Sequence, residues 1–134
     1  MFTGEVEIYT DGGCSGNGTP GARAYGSYNI RAIRDGIEVK CTTQVARDYP
    51  EHSTNNAAEL QALIDALRTL TPGTYTVRTY TDSQVLAGWV AYGYKCKKAH
   101  LLPLVLEARR LWAQFPNAEI RCVPREQIVA VLGH

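Results

Sequence analysis

The tightest constraint on this chain is an apolar rhythm at residues 60–70, lying among strand-like runs that end in aspartate. Leu60, Leu63, Ile64, Leu67 and Leu70 fall at i, i+3, i+4 and i+7 spacing, which lines one face of a helix. Pro72-Gly73 follow and stop that helix. Residues 5–11 alternate through Val6 and Ile8 and close on Asp11, and residues 74–81 are rich in Thr, Tyr and Val and are followed by Asp82. Both runs read as strands. A strand, a helix and a strand in series favour a right-handed parallel crossover. Asp11 and Asp82 then lie side by side at the carboxyl ends of parallel neighbours, where α/β sheets hold their ligands.

The other segments complete an α/β domain. Residues 22–34 and 36–46 are rich in Tyr, Ile, Val and Thr, with Asp35-Gly36 between them, a strong hairpin signal. With residues 5–11 they form an antiparallel meander. Residues 83–92 read as a short helix and 93–98 as a basic loop. A longer helix is expected over 99–115, with Leu101, Leu104, Val105, Ala108, Leu111, Trp112 and Phe115 on one face and Pro103 in its first turn. Residues 118–123 form a last strand, after which a C-terminal helix is short or absent. The expected fold is one domain over residues 1–134. It contains a five-stranded mixed sheet, three strands as a meander plus two parallel strands, flanked by helices.

Composition narrows the function classes. The hydrophobic share is 45% and the charged share 20%, as in an ordinary soluble protein. No apolar run approaches the roughly 18 residues of a membrane span, and Met1-Phe2-Thr3-Gly4-Glu5 lacks the features of a signal peptide. A cytoplasmic monomer is the default expectation. Cys14, Cys41, Cys96 and Cys122 form no CxxC pair, so they read as buried or incidental thiols rather than as a zinc site or disulfide framework. The net charge of +1 announces no polyanion partner. Lys95, Lys97 and Lys98 cluster, and Arg109, Arg110, Arg121 and Arg125 follow. These residues are either a solvated face or a local phosphate-binding surface.

Asp11, Glu59 and Asp82 are the chemical candidates. Glu59 lies one turn into the helix opened by Thr54-Asn55-Asn56. Three carboxylates at strand ends and a helix start suggest a shared site for Mg2+ or Mn2+, which take oxygen ligands. Each acid also has a local explanation. Asp11-Gly12-Gly13 is a turn signal, Glu59 fits a capping box opened by Asn56, and Asp82 is able to cap the next helix. The run Gly12-Gly13-Cys14-Ser15-Gly16-Asn17-Gly18 lacks phosphate-loop spacing. Without side chains it suits close approach to a nucleic-acid backbone.

Tyr9-Thr10-Asp11-Gly12-Gly13-Cys14 with Gly16-Asn17, then Thr54-Asn55-Asn56-Ala57-Ala58-Glu59-Leu60, then Thr81-Asp82-Ser83-Gln84, resemble in order and spacing the successive blocks of type 1 ribonuclease H. The similarity covers roughly residues 5–125, and Val123-Pro124-Arg125-Glu126 resembles the segment before the family's last helix. The resemblance implies a ribonuclease H-like fold and an endonuclease that hydrolyses the RNA strand of RNA–DNA hybrids. It implies that Asp11, Glu59 and Asp82 hold two metal ions about 4 Å apart. It also assigns hybrid contacts. Asn17, Asn55 and Gln84 match positions that meet the minor groove and 2′-hydroxyls, and Thr54 one that helps hold a DNA-strand phosphate. Gly12, Gly13, Cys14 and Asn56 belong to the same contact blocks. Lys95, Lys97 and Lys98, near Trp89, Tyr92 and Tyr94, match a substrate-handling region. Trp89 fits either that groove or the core.

The chain departs from the family at one acid. A fourth carboxylate is expected in the last helix, but Ile128-Val129-Ala130-Val131-Leu132-Gly133-His134 contains none. His134 is either a substitute ligand or proton shuttle, or a terminal residue without a role. Its use as a ligand implies a preference for Mn2+ over Mg2+. His52 and His100 have no metal or nucleophile spacing and read as surface residues. The alternative function is a hybrid-binding module with catalysis weakened by the missing acid.

Overall fold

A computed structural model of the chain describes residues 4–34 and 37–133. Strands β1 (Glu5–Ser15), β2 (Arg23–Arg34) and β3 (Ile37–Tyr49) come first, followed by helix α1 (Asn55–Arg68). Then come β4 (Thr76–Thr81), α2 (Gln84–Ala91), α3 (Leu102–Trp112), β5 (Ala118–Cys122) and α4 (Arg125–Leu132). The sheet order is β3-β2-β1-β4-β5. Strand β1 is antiparallel to β2 and parallel to β4, and β4 is parallel to β5. The expected mixed sheet is therefore present. The Asp35-Gly36 turn signal lies outside the described residues.

The α1 face reads as its spacing requires. Leu60, Leu63, Ile64 and Leu67 are fully buried and pack with Val6 and Ile8 of β1, Val77 of β4 and Val105 of α3. Burying each such side chain contributes about 1.5–3 kcal/mol. Strand β1 places Val6, Ile8 and Thr10 in the interior, while Glu7 and Tyr9 on the alternate positions are only half-buried. Trp89 is 7% exposed and belongs to the core, whereas Tyr92 and Tyr94 are exposed. The groove reading of Trp89 is thereby corrected: its side chain joins the core cluster, and the loop carries the two tyrosines.

Helix α4 exists but is short. It packs on β1, β2 and β4 with Ile128 and Leu132 buried, and Gly133 ends it in the left-handed conformation that glycine accepts readily. Gln44 Nε2 donates to the Leu132 carbonyl at 3.1 Å, tying the helix end to β3. No helix among the described residues is long and apolar enough to cross a membrane. Cys14, Cys96 and Cys122 are free thiols.

Candidate active site

The parallel pairing of β1 with β4 runs through Tyr9 opposite Tyr80, so Asp11 and Asp82 emerge together two residues further on. Glu59 arrives from α1. One ligand oxygen from each of Asp11, Glu59 and Asp82 lies within 4.8 Å of the others. Oxygens around one Mg2+ at about 2.1 Å lie roughly 3–4 Å apart, so small side-chain rotations close the set around a cation.

The local explanations for these acids do not hold. Asp11 does not begin a turn, because β1 continues through Gly12, Gly13 and Cys14 to Ser15. A Cβ on Gly12 would lie 2.5 Å from the Glu59 backbone nitrogen. Gly12 is therefore needed where α1 crosses the strand, and that close approach brings Glu59 to Asp11. This corrects the reading of Gly12 as lying open to a nucleic-acid backbone. Gly13 is likewise covered, by the Tyr25 ring. The α1 cap is Thr54, whose hydroxyl accepts from Ala57 N at 3.2 Å, so Glu59 lies beyond the capping box expected from Asn56. Helix α2 is capped by Ser83, which accepts from Leu86 N at 3.1 Å. Asp82 is left for the site.

Burial sets the electrostatics. Asp11 is 2% exposed and Glu59 8%. Burial first, then the Asp11 and Asp82 charges, push Glu59 up to about 9, with the Gly12 N–H and Arg125 opposing. Glu59 Oε2 is buried with no hydrogen-bond partner. A buried carboxylate oxygen facing two more acids is costly unless a cation meets it, and this orphan oxygen fits the residues to a divalent ion.

Arg125 meets the same acids from the start of α4. Its Nη1 is 3.2 Å from Asp11 Oδ1 and 3.0 Å from Asp82 Oδ2, and its side chain is 56% exposed. Sequence reasoning placed it only in a basic cluster. The one available signal was its place in the Val123-Pro124-Arg125-Glu126 segment. Other members of that cluster are also engaged: Arg109 donates to the Trp89 and Tyr94 carbonyls at 2.6 and 2.7 Å, Arg110 pairs with Glu107, and Arg121 pairs with Glu119.

The expected contact residues fall into two groups. Asn17 Oδ1 accepts from Asn55 N at 2.7 Å, and Gly18 N donates to Ser53 O at 2.7 Å. The glycine-rich segment thus clasps the start of α1, leaving the Asn17 amide NH2 as its outward donor. Asn55 is exposed beside Asn17, and Gln84 is exposed at the first turn of α2 beside Asp82. Lys95, Lys97 and Lys98 are exposed on the loop after α2, without ion pairs among the described residues. Cys14 is half-buried behind the glycines and Asn56 half-buried in α1. His52 is not the free surface residue expected, because Gln61 Oε1 lies 2.9 Å from its Nε2. His100 is exposed, and His134 lies outside the described residues. Leu132, in the segment expected to supply the fourth acid, is 4% exposed.

Comparison with known proteins gives one consistent result. The RNase H family profile matches residues 3–116. A ribonuclease H from Aromatoleum aromaticum is 38% identical over 141 aligned positions, covering 99% of this chain and 81% of that protein. Two further ribonucleases H are matched over 56% and 61% of their own length. Among solved structures, an N-terminal RNase H domain from Mycobacterium tuberculosis superposes with a TM-score of 0.79 at 27% identity, covering 93% of this chain and 91% of that one. LC11-RNase H1, crystallised with an RNA/DNA hybrid, superposes with a TM-score of 0.70 at 25% identity, covering 93% and 89%.

Proposed function

Because the chain belongs to the ribonuclease H family of enzymes, we propose that it is an endonuclease cleaving the RNA strand of RNA–DNA hybrids. The observation that carries this reading is the convergence of Asp11, Glu59 and Asp82, with one orphaned buried oxygen among them. The hybrid seen on LC11-RNase H1 supports the substrate class. Asp11, Glu59 and Asp82 would hold a pair of Mg2+ or Mn2+ ions. When bound, such ions lower the pKa of an attacking water and stabilise the leaving oxygen.

The chain's own groups bind and orient the hybrid. The Asn17 amide NH2 and the Asn55 and Gln84 side chains offer amides to the minor groove. Amides both donate and accept, and the 2′-hydroxyl they meet distinguishes RNA from DNA. The Thr54 hydroxyl and the three lysines are suited to phosphate oxygens. Arg125 balances the charge of Asp11 and Asp82, and its exposure leaves it free to swing outward.

A second reading, a hybrid-binding module with weak turnover, is favoured by the apolar Leu132 and by the Arg125 ion pairs at the acids. Cleavage of labelled hybrid, duplex RNA and single strands in Mg2+ or Mn2+, beside Asp82→Asn, separates the two. Hybrid-specific cleavage lost in the variant supports the enzyme. Hybrid binding without turnover supports the module, and cleavage of duplex RNA alone refutes both.

A further inference from the structure

We propose that His52 is a positioning residue, locking the loop that presents Thr54 and Asn55 to the hybrid. The inference rests on the hybrid-nuclease reading and concerns how the substrate-binding loop of that site is held. Its basis is a closed circuit of polar groups on the outer side of α1. Gln61 Nε2 donates to Asp65 Oδ1 at 2.9 Å, and Tyr49 OH donates to Asp65 Oδ2 at 3.0 Å. A carboxylate only accepts, so the Gln61 amide is fixed with its Oε1 facing the other way. That oxygen is 2.9 Å from His52 Nε2, so Nε2 carries the hydrogen and donates. The imidazole also meets the Tyr49 ring edge-on at 6.1 Å, and His52 N donates to Tyr49 O at 3.0 Å.

Four consecutive residues are therefore held by four different partners. Ser53 is held by Gly18 N, Thr54 caps α1, and Asn55 N is held by Asn17. Among the described residues, His52 is the one that ties this segment to the α1 flank through Gln61 and to the end of β3 through Tyr49. Gln61 and Asp65, four residues apart, share one helix face, so the circuit holds the loop against a rigid body. The acids at the metal site take no part in it. Loss of His52 should therefore loosen hybrid binding and leave the chemistry intact.

Steady-state and single-turnover cleavage of a labelled hybrid by the full chain tests this. His52→Ala should raise KM about fivefold, the worth of one net hydrogen bond. It should leave kcat and the Mg2+ midpoint within error and lower Tm by only a few degrees, and His52→Gln, which keeps an N–H donor, should recover most of the loss. Gln61→Leu cuts the same bond from the helix side and must raise KM alike, with the double variant no worse than the larger single. It serves as the test if His52→Ala fails to fold. An unchanged KM, or a fall in kcat together with Mg2+ affinity, overturns the positioning role. A wild-type chain that does not cleave hybrid instead sinks the function reading, and the two failures are distinguishable.

Discussion

Glu59→Gln should make the metal-free protein more stable at neutral pH, and increasingly so as pH rises. The folded protein holds the Glu59 proton more tightly than the unfolded chain does, its pKa being raised from 4.5 to about 9. It therefore binds more protons across that window, and stability falls as pH rises from 4.5 toward about 9. At about 1.36 kcal/mol per pH unit, the stretch from 4.5 to pH 7 costs about 3 kcal/mol. In a domain of this size that is roughly 10 °C of Tm. Glutamine keeps the shape and the acceptor for the Gly12 N–H but cannot ionise. Thermal unfolding in EDTA at pH 5, 7 and 8.5 should give a falling series for the wild type and a flatter one for the variant. Mg2+ should lift the wild type, because a ligand bound only by the folded state adds about 2.7 kcal/mol at a hundred times its Kd. It should lift the variant less. Parallel pH series for the two proteins would refute the account of Glu59 as a carboxyl strained by burial and by its neighbours.

Gly12→Ala places a methyl 2.5 Å from the Glu59 backbone nitrogen, so α1 must move. Denaturant unfolding should show a loss of about 1–3 kcal/mol, and Mn2+ titration a weaker site. Arg125→Ala removes two ion pairs that compete with a cation at Asp11 and Asp82. Isothermal titration should show Mn2+ binding tightened about two- to thirtyfold, since the two half-exposed pairs are each worth about 0.2–1 kcal/mol, and weaker binding would count against the competition. Ser83→Ala should cost about 1 kcal/mol in thermal unfolding by uncapping α2. Asp82→Ala in metal-free protein should carry no capping loss.

What the sequence disclosed and what it hid have different physical origins. Periodicity is a local property, so α1 and the alternation of β1 were legible at once. The meeting of Asp11 with Asp82 followed from crossover handedness, a rule of chain topology rather than of side chains. Gly12 was misread because Asp-Gly-Gly has the local chemistry of a turn, whereas its role is set by a helix backbone that arrives more than forty residues later. The α1 cap was misplaced because Thr54 and Asn56 are both good caps. The choice is made by Asn17 and Gly18 holding the segment from across a loop. Arg125 carries no local sign of its partner, since Asp11 is 114 positions away. Trp89 remained open between groove and core until the packing of α2 against α3 was known.

The charge at the site follows from the same geometry. With Glu59 protonated at neutral pH and Arg125 paired to Asp11 and Asp82, the cluster has a net charge of about −1. Releasing that proton and swinging Arg125 away takes it to about −3, the state that a divalent cation favours. In the empty site these two changes oppose each other, because Arg125 lowers the Glu59 pKa and an ionised Glu59 would hold Arg125 more firmly, so it is the cation that has to drive both. Buried Leu132 adds no carboxylate to this set, so among the described residues the cluster has three acids. On the metal-binding reading proposed above, Arg125 balances Asp11 and Asp82 while no cation is bound and yields them when one binds.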